Sequence, residues 1–283
     1  MDPKTGKVYY VKHSRSGEEF RGETEILTSK LYQLLGVPTI DYNRGVHNGK
    51  LQRVSEWDDR IREVSHSQMS KDSKFKASVQ RSLIANAWLA NWDGTGNMSN
   101  IVQGPNGEAV MADSGGGLIF RAQRYSGLKT NPPFGPKVDE VENLINGVTR
   151  SGQPVQTAVS KAYYKDIEPS EVARQVKELS QVTDDDIKKL VSQQISDKED
   201  GDRLAQILIA RRDWIVDHWS TGKLVDNPSD TSRSDASGAK AKPFASLTKK
   251  PARSVSASRV GFASNIDGPG DDERGVSRYN SDE

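Results

Sequence analysis

Five polar residues spread along the chain could together handle a phosphorylated substrate. Lys12 closes a β-branched and aromatic run, "YYVK", and Glu25 follows on an amphipathic segment. A strand lysine facing a glutamate on the next helix is one way to hold an ammonium against phosphates. Asp93 lies in "NWDGTGNMSN", after a long apolar-periodic stretch, and Asn100 comes seven positions later. Asp113, in "ADSGGG", ends a short apolar run ahead of glycines that let another group approach closely. Phosphoryl transfer is mostly positioning and charge neutralisation. One carboxylate orients the attacking hydroxyl or takes its proton. A second carboxylate and an amide oxygen hold magnesium, a hard cation that prefers oxygen. A lysine neutralises the phosphates. Lys12, Asp93, Asn100 and Asp113 supply these groups.

Each residue also has a plainer reading. Lys12 could be a solvated strand end. Glu25 could be one helix-surface acid among Glu18, Glu19 and Glu23. Asp93 and Asp113 could form turns, and Asn100 could cap a strand, with Asn97 competing for any ligand role. Only the combination, in this order, points to chemistry. Trp57, Trp88 and Trp92 read as packing residues. The four histidines show no metal-ligand spacing, which argues against zinc. The lack of cysteine removes disulfides, thiolate metal sites and cysteine nucleophiles.

The elements that must position these residues follow from pattern. Residues 7–13 read as a strand, and residues 22–35 as a helix stopped by Gly36 and Pro38. Two strands near 39–46 and 51–56 flank the turn "HNGK". Residues 58–74 mix helix and loop, and 75–92 read as one long helix. Short strands at 101–102 and 109–112 bracket "GPNGE". Helices then dominate at 138–146, 153–165, 169–179, 184–194 and 201–219, with Thr183 as an N-cap before three aspartates.

An apolar fraction of 34% is low for 283 residues, so part of the chain should not fold. Residues 227–283, rich in Ser, Asp, Lys, Arg, Gly and Pro, account for it and read as a disordered tail. A net charge of +1 argues against a nucleic-acid partner, and the basic run "KAKPFASLTKKPAR" reads as a solvated linker. No apolar run reaches the ~18 residues a membrane span needs. The first residues do not read as a signal peptide.

Taken together, "YYVKHS", "ETEILTSKLYQLLGVP", "VSEW", "LANWDGTGNMSNIV" and "GEAVMADSGGGLIFRAQ" resemble bacterial and phage kinases of the HipA-like and phosphoinositide-kinase-like type, over residues 7–123. The resemblance implies an α+β, two-lobed protein-kinase-like fold. Residues 1–57 would form a small β-sheet N-lobe with one helix, 58–226 a mostly helical C-lobe, and 227–283 the tail. It implies Lys12 as the phosphate lysine, Glu25 as its helix partner, and Val54–Trp57, with Glu56, as the adenine segment. Asp93 would be the catalytic aspartate, Asn100 and Asp113 the magnesium ligands, and Arg121 a substrate or phosphate contact. The implied cofactors are ATP and Mg2+. The implied substrate is a protein hydroxyl, ahead of a lipid, and the implied location is cytoplasmic, in the host for an effector or phage protein. Two departures stand out. The Gly-rich strand-turn-strand usual before the lysine strand is missing, with only Gly6 present, as if the chain continued a longer protein. The Asp93–Asn100 spacing is also longer than usual. The first departure keeps a second expectation open, a catalytically inactive kinase-like interaction or virion structural module.

Overall fold

A computed structural model of the chain describes residues 7–14, 18–92, 94, 97–121, 128–129, 133–147, 159–225 and 244. Its N-terminal part is a three-stranded antiparallel sheet in the order β1-β3-β2, with β1 at Tyr9–His13, β2 at Asn43–His47 and β3 at Lys50–Glu56. Asn48 and Gly49, at φ 51° and 72°, make the tight turn between β2 and β3. Such a turn needs positive φ at both central residues, which is why Asn-Gly was legible as a hairpin. Residues alternate faces along a strand, so β3 turns Leu51, Arg53 and Ser55 inward.

That inner face receives α1, Glu19–Leu34, whose Ile26, Leu27, Leu31 and Tyr32 are fully buried. The helix starts three residues before the expected Gly22. The glycine is no boundary: a Cβ there would lie 2.6 Å from Ser14 Oγ and 2.8 Å from Leu51 Cδ2, so the residue is small because the sheet passes close. After α1, Met111 accepts from the Ile40 amide at 3.2 Å and donates to the Pro38 carbonyl at 2.9 Å, tying the first part to a two-stranded ribbon. That ribbon pairs β4, Ile101–Gln103, with β5, Ala109–Met111.

Most of the rest is helical: α2 His66–Met69, α3 Ser73–Gln80, α4 Leu83–Trp88, α5 Glu140–Asn146, α6 Pro169–Ser180, α7 Asp184–Gln194 and α8 Lys198–Trp219. The single helix expected over 75–92 is instead α3 and α4. Between them the buried Ser82 hydroxyl donates to its own chain at Val79 O, 2.7 Å, a local bond that competes with helix continuation. Thr183 and Asp186 form a full capping box at the start of α7. The end of α4 is fixed by α8: Trp88 Nε1 donates to Leu208 O, and the buried Arg211 donates to the carbonyls of Ala87 and Trp88. Of the expected 153–165 helix, residues 153–158 lie outside the described residues, and Ser160–Tyr164 form a π-helix rather than an α-helix. The expected tail, 227–283, also lies outside them, except Phe244. That ring is buried 5.7 Å from the Phe20 ring of α1, with the Arg203 guanidinium 4.3 Å above it. No described helix is long and apolar enough to cross a membrane.

The glycines after Asp113 pack against α1. A Cβ on Gly117 would lie 2.6 Å from Thr28 Cγ2 and 2.7 Å from its Oγ1. Thr28 is buried, its hydroxyl bonded to Thr24 O, and a β-branched side chain on a helix has little rotamer freedom to yield. Gly117→Ala should therefore destabilise the fold by about 1–3 kcal/mol, read as a lower denaturation midpoint at unchanged slope.

Candidate active site

Lys12 of β1 stands directly opposite Arg53 of β3 in the antiparallel register. Two cations opposite one another repel unless an anion comes between them. Glu25, reaching in from α1, is that anion. Its Oε1 accepts from Lys12 Nζ at 2.7 Å and its Oε2 from Arg53 NH1 at 2.7 Å. The carboxylate is 1% exposed, so both oxygens must be paired for its charge to be buried at all. Arg53 also donates to the carbonyls of Lys12 and His13, at 3.3 and 2.7 Å, and so fixes the end of β1. Of the nearby acids, Glu23 turns elsewhere, to Arg44 and Ser196. Arg53 was not anticipated. Its signal was faint: a charge on the inward, Leu51 side of a strand requires a partner.

The Lys12 ammonium also lies 3.6 Å from Asp113 Oδ1. Burial alone would lower its pKa, but Glu25 and Asp113 outweigh that and hold it above the ordinary lysine value. Asp113 is placed by the turn that follows it, since Gly115 N donates to the same Oδ1 at 2.8 Å. The β4-β5 ribbon brings Asn100 alongside: Ala112 N donates to Asn100 O at 2.8 Å, one residue before Asp113. Asn97 instead spends its side-chain oxygen on Ser99 N, capping the 3-10 turn Met98–Asn100. Asp93 lies outside the described residues; its neighbour Gly94 donates from its backbone to Asn91 Oδ1.

Lys12 and Asp113 open onto a cavity of about 380 Å³ that also touches Ile40, Val102, Glu56 and Trp57. Glu56 pairs with Tyr9, three register positions from the Lys12–Arg53 pair, about 10 Å along the strands. The cavity thus offers charge near Lys12 and apolar wall at Ile40 and Val102. The exposed Glu56 carboxylate pairs with Lys7 at 2.7 Å, and Trp57 N donates to Val8 O at 2.8 Å. A planar base there would have to use other groups or displace Val8. Arg121 sits with its guanidinium 5.5 Å from the Trp92 ring centroid, and Arg21 donates to its carbonyl.

Among the described residues no three His, Cys, Asp or Glu side chains converge to hold a metal by themselves. Magnesium is commonly held by one or two carboxylates, with phosphate and water completing the shell. Asp113 fits one place in that partial set, and Asn100 adjoins it through the backbone bond to Ala112. Within the cluster the charges of Lys12 and Arg53 balance those of Glu25 and Asp113, while Glu56, Asp58 and Glu63, with Arg62, add acidic groups elsewhere along the cavity wall.

No family model matches the chain, and no curated protein matches it. Among solved structures it is similar to the crystal structure of a Helicobacter pylori proinflammatory kinase, CtkA. The TM-score is 0.51 at 12% identity, over 77% of this chain and 88% of that one. The fold is kinase-like. In such a fold the small sheet with α1 and the helical part that follows are the two expected halves, and the Lys12–Glu25–Asp113 cluster joins residues from both.

Glu25→Ala would leave Arg53 buried without its anion and should cost about 3–5 kcal/mol of stability. Adding Arg53→Met should recover much of that loss, because an apolar side chain can occupy the site without a counter-charge. Urea unfolding of the two variants checks this; equal losses would show that burial of the unpaired cation is not the cause.

Proposed function

We propose that this chain is a magnesium-dependent kinase of the HipA-like and phosphoinositide-kinase-like type, transferring the γ-phosphoryl of ATP to a hydroxyl of a protein substrate. The observation that carries the reading is the approach of Lys12 to Glu25 at 2.7 Å and to Asp113 at 3.6 Å at the mouth of one cavity. Lys12, oriented by Glu25, would meet the phosphates. Asp113 and Asn100 would hold magnesium, which when bound neutralises charge on the transferring group. Asp93 would orient the acceptor hydroxyl. Tyr42, Ile40 and Val102 would flank the nucleoside, with Glu56 beyond them.

The second reading is a kinase-like module without catalysis, acting through interaction or in a virion. The Trp57 amide supports it, since its bond to Val8 takes one backbone donor from any bound base.

Turnover of ATP with magnesium separates the two. Under the first reading the wild type hydrolyses or transfers phosphate, and Asp113→Ala loses activity by about 100-fold or more. Equal activity in both chains, or no thermal shift at millimolar MgATP, leaves the non-catalytic module.

The charge on Lys12 sets a pH expectation. A folded-state pKa held above the unfolded value of about 10.4 stabilises below that value and is lost only as pH rises through the higher one. MgATP affinity should therefore show no loss attributable to Lys12 between about pH 7 and 9. Calorimetry across that range, comparing wild type with Lys12→Arg, checks it: a fall in the wild type that is absent from the arginine variant would mean that Lys12 titrates earlier.

A further inference from the structure

Phe244 is the single aromatic of the basic run "KAKPFASLTKKPAR", and it is 8% exposed, in a stack of rings and cations. The Arg203 guanidinium of α8 lies 4.3 Å from the Phe244 ring centroid. The Phe244 ring lies 5.7 Å from that of Phe20, in the first turn of α1. Phe20 in turn meets Phe120 edge-on at 6.0 Å, and the Arg21 guanidinium closes the stack 5.5 Å from the Phe120 centroid. The stack therefore joins α8, α1 and the segment that follows the Asp113 turn, with Phe244 between the two helices. A polar contact joins the same helices nearby. Ser196, just before the Asp197 N-cap of α8, donates from its amide to Glu23 Oε2 at 3.3 Å and from its hydroxyl to Oε1 at 2.5 Å.

A ring that leaves water between a cation and a second ring gains from each contact. A solvated linker has no use for such a seat. Phe244 belongs to none of the described strands or helices, so emptying the seat breaks no hydrogen bond within them. The seat is thus suited to reversible occupation. We infer that the socket formed by Phe20, Phe120 and Arg203 is a docking site for the chain's own Phe244, and that its occupation holds the first turn of α1 against α8. Phe20 lies five positions before Glu25 on the same helix, so what loosens that turn also acts on the carboxylate that meets Lys12. Docking does not depend on the kinase reading; its effect on nucleotide does.

The test uses the full chain as wild type, Phe244→Ala and Phe244→Leu, with a synthetic peptide of residues 238–250 added to the alanine variant. Hydrogen exchange reads local opening, element by element. In Phe244→Ala, exchange over residues 19–25 should rise about tenfold while that of α6 stays level, and tryptic cleavage after Lys240 and Lys249 should quicken by a similar factor. Phe244→Leu, apolar but without a ring to face Arg203, should lie between, at about threefold. The peptide at millimolar concentration should restore most of the protection. Unchanged exchange and cleavage in Phe244→Ala overturn the inference. An equal rise in α1 and α6 also overturns it, since that marks a loss of general stability. So does a wild-type dimer in sedimentation that Phe244→Ala makes monomeric, because the seat would then be filled from a second copy. MgATP affinity should fall about threefold to tenfold in Phe244→Ala. A wild type that neither binds nor turns over MgATP overturns the kinase reading, while the exchange result still decides the docking.

Discussion

A carboxylate with no access to water governs this molecule's N-terminal part. Glu25 is tolerable in the interior because two cations meet its two oxygens, and those cations come from adjacent strands that could not otherwise hold them side by side. The arrangement makes the sheet, the helix and the direction of the Lys12 ammonium a single problem with one solution. Arg53, at 7% side-chain exposure, is the structural member of the pair, while Lys12, at 33%, keeps its outer side towards the cavity. Fixing one cation wholly inside leaves the other available at the surface with its geometry already set.

The second acid of the cluster depends on close approach. Asp113 can come to within 3.6 Å of Lys12 because the turn after it carries no side chains where α1 passes, and because the β4-β5 ribbon is bonded to the segment leaving α1. Backbone bonds at Ile40 and Met111 and the side chain of Asn91 work on the same few residues from different sides. Positioning by several weak contacts is a common way to hold an acidic side chain near a cation without burying it.

Much of this was legible from residue order. A strand carrying Lys12, a helix carrying Glu25, and a short ribbon just before Asp113 are local patterns, and each formed within a few residues of its pattern. The kinase-like fold follows from the same succession. What could not be read were partners distant in sequence. Arg53 looks like an ordinary strand arginine until Glu25 is brought against it, and Asn91 looks like a loop residue until Tyr32 and Asp113 are brought against it. Gly22 misplaced the start of α1 because a glycine chosen for a crowded contact is indistinguishable in one sequence from a glycine that ends a helix. The break between α3 and α4 was hidden for a related reason: a buried serine bonding to its own backbone leaves the apolar period intact on both sides. Asp93, the residue on which the transfer step would turn, lies outside the described residues, so its placement rests on sequence alone.

Phe244 is the one described residue of the stretch 227–283, and its placement has a consequence that reaches beyond the folded state. Averaged over its neighbours, Phe244 sits in polar, low-complexity sequence, yet its ring is buried against Phe20 at the first turn of α1. Nearly the whole described chain separates these two rings. On a ribosome adding about 5–20 residues per second, Phe20 would emerge and wait on the order of ten seconds or longer before its covering ring was made. Until then the described aromatic ring against Phe20 would be that of Phe120, at 6.0 Å. The final packing of Phe20 would therefore wait for residue 244, which follows every helix and strand of the described fold.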